Sequence, residues 1–221
     1  MGFDLSILKQ PKSDLIKKMI FAFIGDIILG FGIAFNSCSG LGNDPISVFY
    51  SGVSNMLHIN LGLASNIVNY TMFIIILILG RRYINIGTFI YTLPLGSFIN
   101  LGIYIYGSLI KEQTLMIQII SSVVGCLLLF LGIAIFISVQ IGVDPWTGLA
   151  LILSDRIKKK YMVFKVLIDI LSFVVGFAMG GKIGITTVIA ALLGGPVIQK
   201  IDYFIKNYIL KFFNFKVKTE E

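Results

Sequence analysis

Histidine and cysteine, the side chains most often recruited to catalytic and metal centres, are nearly missing: one histidine and two cysteines stand in 221 residues. A lone His58 cannot run most acid–base relays, and it is expected near water, at the end of a short apolar segment. Cys38 and Cys126 have no ligand spacing and read as thiols beside apolar runs. No Gly-x-Ser-x-Gly, His-Glu-x-x-His or Walker lysine occurs, so the expectation is no enzyme, no cofactor and no metal site. Charge is scarce too. Only 13% of residues are charged against 57% hydrophobic, and the mean hydropathy is +0.93. A water-soluble domain needs far more polar surface, so the solvent of this chain is lipid.

Long apolar stretches fill the space that charge leaves. The charge-free runs 83–110 and 114–143 exceed the roughly 20 residues that cross a hydrocarbon core. The net charge of +7 comes from lysines and arginines at the ends and in short loops. That is the positive-inside pattern of a membrane protein rather than a nucleic-acid footprint, and both termini are expected in the cytoplasm. The basic start carries no small-residue cleavage site, so the first apolar run is expected to remain as an anchor.

The expected fold is an all-α polytopic membrane protein: two sequence-related halves, with six long transmembrane helices plus two short half-helix segments. Residues 1–18 read as a basic N-terminal segment, 19–107 as the first repeat, 115–205 as the second, and 206–221 as a basic tail. The long candidates are 19–37, 61–80, 86–106 (loosened by Pro94 and Gly96), 115–138, 161–180 and 183–198. The short ones, 46–57 and 145–154, are too brief for an ordinary crossing. From Lys200 the chain reads as an interfacial helix with Lys206, Lys211, Lys216 and Lys218 toward headgroups.

Laid over the first half, the second half superposes Gly125 on Gly25, Gly132 on Gly32, Gly142 on Gly42 and Asp144-Pro145 on Asp44-Pro45. Thr187 meets Thr88 after a one-residue slip. Repeated halves with interruptions at matching positions are a transporter layout, and the interruptions mark the binding site. If each short segment crosses, the halves are parallel; if each dips and returns, they are inverted. The distribution of basic residues is compatible with both.

The candidate substrate-binding residues are Asn43, Asp44, Asn69, Asp144, Trp146, Lys165 and Asp169. Asp44 and Asp144 each precede a proline, which is a helix start in its own right, because the carboxylate accepts free N–H groups and proline has none to lose. Cap and ligand site are compatible roles. Lys165 and Asp169 share a helix face and can pair or bind substrate. Asn69 is the first-half counterpart of Asp169. Trp146 beside its Asp-Pro reads as packing or as cover for a pocket. Asn36, Asn66 and Asn100 are expected to hydrogen-bond between helices. Asp26 has three open readings: it reaches Lys165, it lines a cavity, or it lies near the cytoplasmic interface, the last being preferred.

Gly40-Leu41-Gly42-Asn43-Asp44-Pro45, Ile86-Gly87-Thr88 and Gly184-Ile185-Thr186-Thr187 resemble the YitT/YczE group of bacterial integral membrane proteins, over about 19–201. The second Gly-Thr site departs from the pattern, with Thr186 where a glycine is expected. The resemblance implies a multi-pass inner-membrane protein and names no substrate. A small-molecule transporter or channel-like permease is the expected function, with a non-transporting membrane partner of a larger complex or biosynthetic system as the alternative. Its partners are then the bilayer and an unidentified solute, with a homo-oligomer left open.

Overall fold

The computed structural model describes residues 11–212, and these are all-helical apart from short connections. The helices are α1 (Lys12–Ser39), α2 (Pro45–Leu57), α3 (Leu61–Leu79), α4 (Ile86–Thr92), α5 (Leu95–Leu109), α6 (Leu115–Ser138), α7 (Pro145–Ile157), α8 (Tyr161–Ala178) and α9 (Ile185–Phe204). With α4 and α5 taken as one interrupted span, six are long and apolar enough to cross a membrane. The two short ones, α2 and α7, have 13 residues each. That matches the expected count of long and short segments.

Three boundaries differ from expectation. Helix α1 begins at Lys12, so residues 12–18 continue the first span instead of forming a separate segment, and residues 1–10 lie outside those described. Helix α9 passes through Pro196 to Phe204 and widens into a π turn at Ile205–Leu210. Ile205 and Leu210 are buried against α1 and α6 side chains, and Lys206 pairs with Asp202 at 2.7 Å, so this stretch packs on the bundle. Lys216 and Lys218 lie outside the described residues.

Helices α1 and α6 form the central seam, and they run antiparallel. A Cβ on Gly25 would meet the Gly132 carbonyl oxygen at 3.0 Å, and one on Gly32 would meet the Gly125 carbonyl oxygen at 2.9 Å. In lipid no hydrophobic force drives helices together, so close backbone approach over small residues supplies the contact. Helix α5 runs parallel to α1, with Gly30 against Phe98 and Gly102 against Ala34. Helix α3 is antiparallel to α5: Gly62 N–H donates to Asn100 Oδ1 at 3.1 Å, Gly96 N–H to Asn66 Oδ1 at 3.0 Å, and Phe73 packs on Phe89. Asn66 and Asn100 thus make the expected bonds between helices, and they do so to first-turn N–H groups that a helix cannot satisfy itself. Pro94, which has no N–H, separates α4 from α5 at the expected place.

One end of the bundle gathers Arg81 and Arg82 after α3 with Asp155, Arg156 and Lys158 to Lys160 at the end of α7. Arg82 and Tyr83 both bond the Asp155 carboxylate, and Arg156 donates to the Leu79 carbonyl at 2.8 Å.

Candidate functional site

Each short helix begins where proline sets its first residue and an aspartate caps it. Asp144 Oδ1 accepts the Trp146 and Thr147 N–H groups at 3.0 Å each. Asp44 Oδ2 accepts the Ser47 N–H at 3.3 Å, while its Oδ1 is buried with no hydrogen-bond partner. The caps expected from Asp-Pro are therefore present in both copies.

Where the short helices lie matters more than how they start. Helix α2 runs alongside α8 in the same direction: Phe49 and Gly52 pack on Gly176, and Asn55 Nδ2 bonds the Gly180 carbonyl oxygen. Helix α7 runs alongside α3: Trp146 reaches Asn69, a Cβ on Gly148 would meet Ile76, and Gly80 packs on Ile152. Asn69 sits at the middle of α3 and Asp169 at the middle of α8. Asp44 lies within electrostatic reach of both Lys165 and Asp169. Both short helices thus start at the mid-depth of a spanning helix and run outward, toward opposite ends of the bundle.

They meet near their starts through a buried polar knot. The Trp146 indole N–H lies 3.1 Å from the Tyr50 hydroxyl and 3.2 Å from Asn69 Oδ1, and that hydroxyl donates to Asn69 Oδ1 at 3.0 Å. Asn69 Nδ2 in turn donates to Ser65 Oγ at 3.3 Å. Around this knot Val53, Ala64, Val68, Ala150, Phe164 and Ile168 close an apolar cluster drawn from α2, α3, α7 and α8. Trp146 is 5% exposed and Asn69 0%. Trp146 is therefore a packing residue with its one polar atom spent on the partner half.

Lys165 Nζ bonds Asp169 Oδ1 at 2.6 Å, the pair expected from their spacing, and Asp144 is within electrostatic reach of both. Three carboxylates, Asp44, Asp144 and Asp169, therefore share this region with one ammonium, Lys165. Asp169 also lines an apolar crevice of about 380 Å³ with Pro45, Phe173, Thr187 and Leu192. Asp26 does not join this pair. It is 0% exposed, near the middle of α1, rather than at the cytoplasmic interface. The correction has a simple cause: α1 starts about two turns earlier than its apolar run indicates, which places Asp26 deeper.

The loops that lead into the short helices are held by segments distant in sequence. Leu41 O accepts the Thr186 N–H at 3.0 Å, and Asn43 N–H donates to Thr187 Oγ1 at 3.2 Å. On the other side Ile141 O accepts the Gly87 N–H at 3.1 Å, and Thr88 Oγ1 donates to Val143 O at 2.8 Å. The Gly-Thr motifs thus acquire a role that the sequence signalled without explaining. Thr186 keeps the backbone bond that Gly87 makes in the other copy and adds a contact with Ser122 Oγ at 2.6 Å. Asn43 is pinned further by donating to Ile33 O at 3.0 Å and to Ser37 Oγ at 2.8 Å. It forms part of the wall of a polar cavity of about 200 Å³, with Asn36, Ser51, Ser54, Asn55 and Lys182. Tyr50, Ser51, Asn55 and Lys182 were not among the expected site residues. Only Tyr50 had a visible signal, a phenol inside an apolar half-helix.

Six apolar spans around two helices that begin at mid-depth define a multi-pass membrane protein. The chain belongs to DUF6198, a family of unknown function, whose model matches residues 16–203. It is 26% identical over 193 residues to a Bacillus subtilis (strain 168) protein named Uncharacterized protein YyaS, covering 87% of this chain and 96% of that one. It is 23% identical over 189 residues to the Uncharacterized membrane protein YczE of the same organism, covering 85% and 86%. A Haemophilus influenzae protein named only as uncharacterized is 26% identical over 172 residues, covering 78% and 77%. The expected likeness to YczE is thus found in a membrane protein matched over most of its length. No solved structure matches the chain.

Proposed function

We propose that the protein is a small-molecule transporter or channel-like permease of the bacterial inner membrane, built from inverted halves, with its substrate site where α2 and α7 begin. The observation that carries this reading is the knot of Trp146, Tyr50 and Asn69, which joins two half-helices near their starts inside the bundle. Backbone ends at membrane depth must be satisfied by protein, water or ligand, and half-helix starts are where transporters bind their solutes. The antiparallel course of α1 and α6 supports an odd number of passages in each half, hence inversion. With that topology the basic residues after α3 and α7 fall on the side of both termini, as the positive-inside rule requires of a cytoplasmic face.

Asp44, Asp144 and Asp169 outnumber Lys165, and Asp44 Oδ1 lacks a partner. The site therefore favours a small polar solute with a cationic or hydrogen-bond-donating group. The polar cavity beside Asn43 serves as its vestibule, on the side away from the termini. The protein acts without chemistry of its own, in the bilayer, alone or as a homo-oligomer.

A thermal-shift screen of the purified protein against metabolites and ions tests the reading. A ligand at a hundredfold excess over its Kd stabilises the folded state by about 2.7 kcal/mol. The expected result is a hit whose shift disappears in D44N and D144N, while both variants keep the parent melting temperature without ligand. A screen with no hit, together with full biological activity of both variants, points instead to the non-transporting partner protein.

A further inference from the structure

Asp26 is the buried charge that the substrate site does not use. Both of its carboxylate oxygens are enclosed and neither has a hydrogen-bond partner. One turn of packing explains where it sits. Helices α1 and α5 run in parallel with Gly30 against Phe98 and Ala34 against Gly102, and that register places Asp26 level with the break between α4 and α5. At the break stands Thr92, itself buried, with an Oγ1 that also lacks a partner. Pro94 has no N–H, so the carbonyl four residues earlier loses its helical donor. Unpartnered oxygens thus lie at this level of the bundle, and among them only the Thr92 hydroxyl carries a proton to donate.

An ionised carboxylate in such a place is costly, since burying a charge without a partner costs far more than neutralising it, so the neutral acid is the favoured form. The ammonium on the π turn packed against α1, Lys206, is held by Asp202 at 2.7 Å. Helices α4, α5 and α6 carry no charged side chain, and the titratable group facing Asp26 is the Tyr91 phenol of α4. On α1 itself Lys18, two turns away, interacts with Asp14. What balances Asp26 must therefore be a small exchangeable cation. A metal ion would take several ligands, and among the described residues no group of three or more His, Cys, Asp or Glu side chains comes together to hold one. A proton needs one.

We propose that Asp26 is a proton-binding site within the membrane, distinct from the Asp44 and Asp144 region and coupled to it through Tyr91. Protonated, Asp26 is a neutral acid whose O–H donates to the acceptors at the helix break. On release, the proton passes to water and a full negative charge appears in the core. Tyr91 lies within electrostatic reach of both Asp26 and Tyr50, the side chain that bonds Trp146, and so stands between the two sites. The device makes the central knot responsive to proton occupancy.

Infrared difference spectroscopy of the reconstituted protein between acid and alkaline pH reads the proton directly. The expected result is a protonated-carboxyl band that is lost in D26N, kept in D44N and D169N, and displaced in D26E. Emission from Trp146, the single tryptophan, reads the coupling. It is expected to shift across the same pH transition, and to stop doing so in D26N and in Y91F. Asn matches the shape of a neutral acid, so D26N should fold; should it not, the displaced band in D26E still assigns the proton. A carboxyl band unchanged in D26N and D26E overturns the site. A sodium-dependent Trp146 shift at constant pH, abolished in D26N, replaces the proton with a metal cation and also overturns it. A band assigned to Asp26 with a silent Trp146 overturns the coupling.

Discussion

Trp146 and Tyr50, which stand 96 positions apart, meet at 3.1 Å between the indole N–H and the phenolic hydroxyl. The bond ties α7 to α2, and Asn69 of α3 accepts from both. A polar contact of this kind in an apolar cluster is directional where the packing around it is not. It sets how deep each short helix sits.

Removing the hydroxyl while keeping the ring isolates that bond. Y50F leaves the Trp146 N–H with Asn69 as its remaining acceptor, and a buried bond of this type contributes about 1 kcal/mol. The expected loss is of that size, with a shift in Trp146 emission, both measured by unfolding of detergent-solubilised protein followed by fluorescence. An unchanged emission spectrum would mean that the indole is bonded elsewhere.

The seam between α1 and α6 tolerates no added volume. A Cβ on Gly132 would stand 2.7 Å from the Gly25 carbonyl oxygen and from Leu29 Cα, whereas one on Gly195 meets nothing within 4 Å. Overpacking costs about 1 to 3 kcal/mol per site even where neighbours can shift, and here the neighbours are backbone. G132V is expected to abolish monodisperse protein in size-exclusion chromatography, and G195A to leave the elution profile unaltered.

Thr187 holds the entry loop of α2 through one oxygen, which accepts Asn43 N–H at 3.2 Å and Gly184 N–H at 3.3 Å. T187V keeps the shape and deletes the acceptor, leaving two N–H groups in an apolar setting at about 1 to 3 kcal/mol each. T187S restores it. Melting temperatures should therefore rank parent, then T187S, then T187V well below; equal values for the two variants would assign the loop's stability to packing alone.

His58 and Lys158 close α2 and α7 in matching left-handed conformations, with φ of 53° and 57°, and both are exposed. The proposed inverted topology would put them on opposite faces of the membrane. With Cys38 and Cys126 replaced by alanine, a membrane-impermeant maleimide should label H58C in intact cells and K158C only after permeabilisation. Labelling of both from the same side would sink the inverted topology.

Much of the fold was legible in sequence because lipid imposes a severe rule: apolar length must match the bilayer, and helix is the cheapest way to satisfy the backbone. The six long helices, the break at Pro94 and the caps at Asp44 and Asp144 all follow from it. The limits of α1 and α9 did not. Lys12 to Lys18 and the turns after Pro196 are polar or mixed, and what makes them helical is contact with neighbours, as for Ile205 and Leu210. Asp26 was misplaced for the same reason.

The amino-acid sequence by itself determined that this chain lives in a membrane, where its helices break and which residues start the short ones. Those are local properties of hydropathy, proline and capping chemistry, readable within a few residues. Only the tertiary structure decided that α2 lies along α8 and α7 along α3, that Thr88 and Thr187 hold loops far from them in sequence, and that Trp146 finds Tyr50 and Asn69. Pairings between distant segments depend on which faces can approach closely enough to exclude lipid, and the glycines of the seam set that distance only once both helices are in place.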